Sequence, residues 1–195
     1  IAYGPVSIDD IESLINADFT NGGEHPLRIG NIEEHAWFAA QDRVTFARVG
    51  VIDPLSVDDF IAHGGFAGLR QALEMSDEAI CDEVTASGLR GRGGAGFPAG
   101  IKWTTVRKAS SDQKYIACNA DEGDSGTFAD RMLMEGDPLT LIEGMTIAGL
   151  AVGATQGYIY VRSEYPAAVA TLRAAIAAAH LHDWLGDDIA GSGKS

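Results

Sequence analysis

Two stretches of the sequence hold residues whose types and order could do chemistry. The first, Gly88 to Trp103, reads GLRGRGGAGFPAGIKW and places six glycines among sixteen residues. Glycine is selected where the backbone needs positive φ or where a ligand must come closer than a Cβ allows. Gly91, Gly93, Gly94 and Gly96, with Ala95 between them, offer close-approach backbone with N–H donors. Arg92 and Lys102 add positive charge suited to a phosphate, and Phe97 adds an aromatic face. The second stretch, Asn119 to Gly126, reads NADEGDSG. Its Asn119, Asp121, Glu122 and Asp124 are acceptors of the kind that hold ribose hydroxyls and ring N–H groups. Together the two form a nucleotide-shaped set of donors and acceptors. The same residues would also serve as a glycine-rich turn beside a solvated acidic loop, and composition does not separate the two readings.

Two familiar motifs fail on context. Gly91, Gly93 and Gly96 match G-x-G-x-x-G, but the dinucleotide fingerprint needs a strand before it and a helix opening within it. Here a helix precedes, and Pro98 restricts Phe97 to extended geometry. The terminal GSGKS lacks the first glycine of a phosphate loop, because Asp188 stands in its place. Other candidates are blander. His25, His35, His63, His180 and His182 share no metal-ligand spacing, since residues two apart on a helix face different ways. Cys118 reads as a small buried apolar residue. Glu135 and Asp137 read as helix-entry charges, and Ala167 to His180 as a helix surface.

The elements that must position these residues are legible in part. Ser7 is the N-cap of a short helix to Asn16, with Asp9 and Asp10 in its first turn. From Asn16 to Pro54 the chain is mostly irregular connection. Helix resumes near Ser56 and continues past Gly64-Gly65. Ser76 with Asp77 and Glu78 caps a further helix that ends at Gly88. Beyond the glycine run, KYIACN (114–119) and GYIYVR (157–162) read as strands. Asp137-Pro138 opens an apolar helix to about Gly153, and Tyr165-Pro166 opens another. The fold class is therefore α/β, a parallel βαβα sheet preceded by an irregular and helical N-terminal segment. In such sheets ligands sit beyond the carboxyl ends of the strands, which is where NADEGDSG falls.

Bulk properties exclude several roles. The 195 residues carry 14 Lys+Arg against 28 Asp+Glu, a net charge of −14, which argues against a nucleic-acid partner. The apolar run Leu139 to Thr155 is shorter than a bilayer span and contains Glu143, so no membrane span is expected. Cys81 and Cys118 form no C-x-x-C pair, so the chain holds no metal or iron–sulfur site of its own, and a reducing, cytoplasmic compartment is expected. The first residues carry no signal-peptide pattern, and the chain reads as a piece of a longer polypeptide cut at both ends.

The long motifs GLRGRGGAGFPAGIKW and NADEGDSGTFADR, in this order and spacing, resemble the family of flavin- and NADH-binding subunits of respiratory complex I. That family is shared with NAD-linked hydrogenases and soluble NAD-dependent formate dehydrogenases. RVTFARVGVIDPLSVDDFIAHGG and the segment from Asp130 to Pro166 look most like the formate dehydrogenase beta subunit. The resemblance implies the sheet type of the FMN-binding domain for residues 88–195, a linker and helical lead-in over 31–87, and the tail of a thioredoxin-like domain over 1–30. It implies FMN contacts at Gly91, Gly93, Lys102, Asn119, Asp121 and Glu122, and NAD contacts at Gly94, Ala95, Phe97 and Lys102. Arg92, Gly96 and Asp124 join the cofactor-binding set, with no catalytic side chain and no metal ligand. The implied chemistry is hydride transfer between nicotinamide and flavin, with single electrons passing to or from iron–sulfur clusters. A 4Fe-4S cluster is expected only in the missing C-terminal part. The implied partners are a molybdenum-containing catalytic subunit and a small iron–sulfur subunit. Complex I proteins carry Glu-Pro where this sequence has Asp124-Ser125, a departure toward the formate dehydrogenase branch. The alternatives are the same module in a hydrogenase or NADH:quinone oxidoreductase, and a non-catalytic nucleotide-binding module. The chain alone is expected to bind FMN poorly and to lack NADH:acceptor activity.

Overall fold

Ser7 opens the first helical segment as its spacing predicts. Its N–H and hydroxyl both donate to the Asp10 carboxylate, at 2.8 and 2.6 Å. In the computed structural model, which describes residues 1–195, a 3-10 turn over Ile8–Asp10 leads into α1, Ile11–Asn16. The short strands β1 (Ala2–Tyr3) and β2 (Arg28–Gly30) pair antiparallel, and α2 covers Ala36–Ala39. These elements belong to one compact unit, Ile1–Thr45, and the rest of the chain, Phe46–Ser195, forms a second.

The second unit is built around serine-capped helices and one parallel strand pair. Ser56 Oγ accepts the Asp59 N–H at the start of α3 (Val57–Ala62), and α4 (Ala67–Leu73) follows the Gly64-Gly65 break. Ser76 Oγ accepts the Ala79 N–H and starts α5 (Asp77–Ala86). A hydroxyl in this position satisfies an N–H that the helix itself leaves unpaired. Then come α6 (Ala99–Lys108), β3 (Tyr115–Ala120), α7 (Ala129–Gly136), α8 (Pro138–Val152), β4 (Gln156–Val161) and α9 (Pro166–Leu181). Helices α6 and α7 were not expected from the pattern. Each is short and begins without a Ser, Thr or Asp cap, at Pro98 and at Phe128 respectively.

Strands β3 and β4 run parallel in register from Tyr115↔Gln156 to Ala120↔Val161, with α7 and α8 as the crossover. This is the βαβα arrangement that the sequence implies. α8 lies at the centre and touches α4, α5, α6, α7, α9 and both strands, so its burial comes from being surrounded by protein. No helix is long and apolar enough to cross a membrane.

The main core gathers Phe60, Phe66, Leu69, Leu139, Ile142 and Trp184, with Phe66 stacked on Trp184 at 4.0 Å. Two polar side chains of α8 and its cap organise it. Glu143, which the sequence offers only as a blemish in an apolar run, accepts the N–H groups of Phe66 and Leu69 at 3.0 Å each and so caps α4. Asp137 at the head of α8 is fully buried, accepts from Arg48 Nε at 2.9 Å and from Thr140 Oγ1 at 2.8 Å, and ties the 46–53 segment to the core. A buried carboxylate survives only with such partners.

Candidate functional site

The glycine stretch is a hairpin-like loop between α5 and α6. Gly91 N–H donates to Phe97 O at 2.9 Å and Ala99 N–H to Leu89 O at 2.8 Å, closing the loop through a bridge between Arg90 and Pro98. The Arg90 guanidinium donates to Gly96 O at 2.8 Å. Gly94 and Gly96 have φ of 98° and 59°, a backbone that glycine adopts freely and other residues adopt at a cost. Gly93 is different. It has no left-handed φ, and an added Cβ would meet nothing within 4 Å, so the fold does not require a glycine there.

Within this loop the N–H groups of residues 92 to 97 donate to no backbone acceptor. They lie just ahead of the α6 N-terminus, where further unpaired N–H groups and the helix dipole favour an anion. Pro98 is therefore not a barrier to a helix but its N-terminal neighbour, and a helix does follow the glycines. Arg92, Phe97 and Lys102 are exposed, Phe97 at 52%. The exposed set thus combines positive charge, free N–H donors and an aromatic face.

The acidic stretch leaves the carboxyl end of β3. Asn119 Oδ1 accepts the Asp121 N–H at 3.2 Å, and Asp124 Oδ1 accepts the Gly126 N–H at 3.0 Å, two local turns that hold the loop's shape. Asn119 and Asp121 line a shallow depression together with Ala117, Cys118, Tyr158 and Tyr160. The glycine loop and the acidic loop share no hydrogen bond or ion pair. They are connected through α6, α8 and β3, which pack on one another in sequence.

Glu122 sits apart from the other acidic residues of its loop. Its side chain is only 3% exposed, and its two carboxylate oxygens accept the Asp130 and Arg131 N–H groups at 2.9 Å each, capping α7. That carboxylate is already committed within the protein, and Asn119, Asp121 and Asp124 are the acceptors that face outward. The side chain of Asp130 is held above the usual carboxylate range, first by burial and then by the Glu122 charge. Burial, then the Asp130 charge, pushes the Cys118 thiol up as well, so it stays protonated and unreactive.

Tyr158 and Tyr160 were missed by sequence reasoning. The signal was available, because in-register parallel pairing sets Tyr160 beside Asn119. Strand alternation then puts Ala117, Asn119, Tyr158 and Tyr160 on the same face.

Against known proteins, residues 84–190 match the Nuo51 FMN-binding domain family, a span of more than half the chain. The chain belongs to this family. Among similar members, the NADP-reducing hydrogenase subunit HndC of Solidesulfovibrio fructosivorans is 50% identical over 153 residues, which are 78% of this chain and 31% of that protein. An NADH-quinone oxidoreductase subunit of Escherichia coli is 44% identical over 142 residues, 72% of this chain and 32% of that protein. A crystal structure of an NAD+-reducing NiFe hydrogenase in the air-oxidized state superposes with a TM-score of 0.57 at 28% identity, over 92% of this chain and 30% of that one. The chain thus spans about a third of the length of the curated relatives it matches. Both candidate loops lie inside the span matched by the Nuo51 FMN-binding domain.

Proposed function

We propose that this chain is part of an electron-transfer flavoprotein subunit that exchanges reducing equivalents between NAD(H) and FMN and passes electrons to or from iron–sulfur clusters. The observation that carries this reading is the glycine loop. It presents free N–H groups at residues 92 to 97 and a glycine at position 93 that the fold itself does not need. A Cβ-free approach and unpaired donors are what a phosphate-bearing cofactor would use. When bound, FMN supplies the hydride and single-electron chemistry, and the protein's part is to hold and orient it.

In this reading the backbone of Gly91, Gly93, Gly94, Ala95 and Gly96 cradles phosphate and lets the ligand approach closely. Arg92 and Lys102 balance the phosphate charge, and Phe97 stacks on the dinucleotide. Asn119, Asp121 and Asp124 accept hydrogen bonds from the ribityl chain and the ring, with Glu122 shaping their loop. The division into 1–30, 31–87 and 88–195, with a thioredoxin-like origin for the first piece, belongs to the same proposal, as does a cytoplasmic location.

The donor side is a finer choice. The motif from Arg43 to Gly65 and the Asp124-Ser125 pair favour a formate dehydrogenase, with a molybdenum-containing catalytic subunit and a small iron–sulfur subunit as partners. The names of the relatives favour a hydrogenase or a quinone reductase. Metal analysis and donor assays of the complex purified from its native source separate them, since molybdenum with formate-dependent NAD reduction supports the first, hydrogen-dependent reduction a hydrogenase, and NADH-dependent quinone reduction with neither molybdenum nor hydrogen uptake a quinone reductase.

Gly93→Ala in the full-length protein tests the site. Because the added Cβ meets nothing in the folded protein, the melting temperature should stay within about 2 °C of the parent. FMN affinity should fall at least roughly tenfold. Unchanged FMN binding would remove the glycine loop from the site.

A further inference from the structure

The acidic loop is held in its shape by side chains from outside it, which donate to its backbone carbonyl oxygens. Glu122 has a left-handed φ of 43°, which costs a non-glycine residue free energy unless its surroundings enforce it. The Tyr165 hydroxyl donates to the Glu122 carbonyl oxygen at 2.6 Å. Arg131 lies over the Tyr165 ring, 4.6 Å from its centre, with its Nε 3.5 Å from Glu122 Oε2, and donates to the Ser125 carbonyl oxygen. From the end of β4, Arg162 donates to the Gly123 carbonyl oxygen at 2.8 Å. Tyr165 itself is 4% exposed and packs among Ala120, Met134, Ala168 and Leu172. It has one end in the core and its hydroxyl on the loop.

We propose that Tyr165 is a positioning residue for the ligand site. It fixes the left-handed turn at Glu122, and the turn sets the directions of Asp121 and Asp124 on either side. This rests on the reading of the acidic loop as part of an FMN site. Without the hydroxyl, the Glu122 carbonyl loses its buried partner. The strained turn can then relax toward an extended form, and the outward carboxylates leave their places. Tyr165 does this without touching the ligand.

The test uses the full-length flavoprotein, with FMN titrated into the apoprotein and the bound flavin followed by its visible circular dichroism. Tyr165→Phe should weaken FMN binding about five- to twentyfold and alter the dichroism of the bound flavin. Arg131→Met, which loosens the same loop from its outer side, should change the dichroism in the same sense. Leu172→Val thins the same buried cluster without reaching the loop, and should lower the melting temperature while leaving FMN affinity within about twofold. Parent-like affinity and dichroism in Tyr165→Phe would overturn the proposal, and so would an equal loss of affinity in Leu172→Val. Failure of the parent protein itself to bind FMN would instead sink the site reading and this inference with it.

Discussion

Asp130 shows how one side chain can work against the fold it belongs to. It stands in the first turn of α7, where the helix dipole welcomes a negative charge. The same turn is already capped by the buried Glu122 carboxylate, and partial burial first, then the repulsion of that second negative charge, raise the Asp130 pKa above its ordinary 3.8. A carboxyl whose pKa is raised on folding favours the folded state while protonated, and loses that advantage as pH climbs through the raised value. Asp130→Asn removes the loss. The variant should therefore be more stable than the parent near neutral pH, and the difference should shrink as pH falls toward 4. Urea denaturation of the two proteins at pH 7, 5.5 and 4 checks this, and a constant difference would contradict it. The effect is modest, because the Asp130 side chain is largely exposed and water screens it.

At the scale of elements, the junction of α5 and α6 sets two physical effects against each other. Helix propensity alone favours Ala over Gly at position 100. Packing opposes it, because a Cβ there would lie 2.7 Å from the Thr85 backbone nitrogen and Cα on α5. Backbone cannot step aside as a flexible side chain can, so packing wins, and Gly100→Ala should destabilise the protein by about 1–3 kcal/mol in chemical denaturation. A neutral or stabilising result would mean that α6 slides freely on α5. This close approach explains why the last glycine of the run is present for structural reasons while Gly93 is not. It also marks what was readable beforehand. The capped helices at Ser7, Ser56 and Ser76, strands β3 and β4, and helices α8 and α9 announce themselves through serine caps, β-branched runs and Pro at the first helical position. α6 and α7 do not, because each begins from a residue whose side chain makes no cap, and each is held by tertiary contact. The roles of Glu143 and Asp137 were likewise hidden, since their partners lie far away in sequence, at Phe66, Leu69 and Arg48.

At the scale of the whole molecule, the helices of the second unit cover its strand pair on one side only. Ile116, Cys118, Ala120, Ile159 and Val161 face the helices, whereas Tyr115, Tyr158 and Tyr160 on the other face are 55%, 59% and 68% exposed. Parallel sheets are ordinarily covered on both faces. The depression beside Asn119 and Asp121 is consequently an open surface, and the glycine loop stands exposed as well. Tight small-molecule sites bury most of the ligand's surface, and it is the exclusion of water that makes their hydrogen bonds count. The residues proposed to hold FMN thus lie on open surface with no wall opposite them. The 195-residue chain, purified alone, should bind FMN no more tightly than roughly the high micromolar range, retain no flavin through gel filtration, and reduce no artificial acceptor with NADH. Flavin fluorescence titration and the absorbance spectrum of the desalted protein decide the matter. Stoichiometric flavin surviving desalting would mean that the exposed loops close on the ligand by themselves, and that Tyr158 and Tyr160 move to form the missing wall.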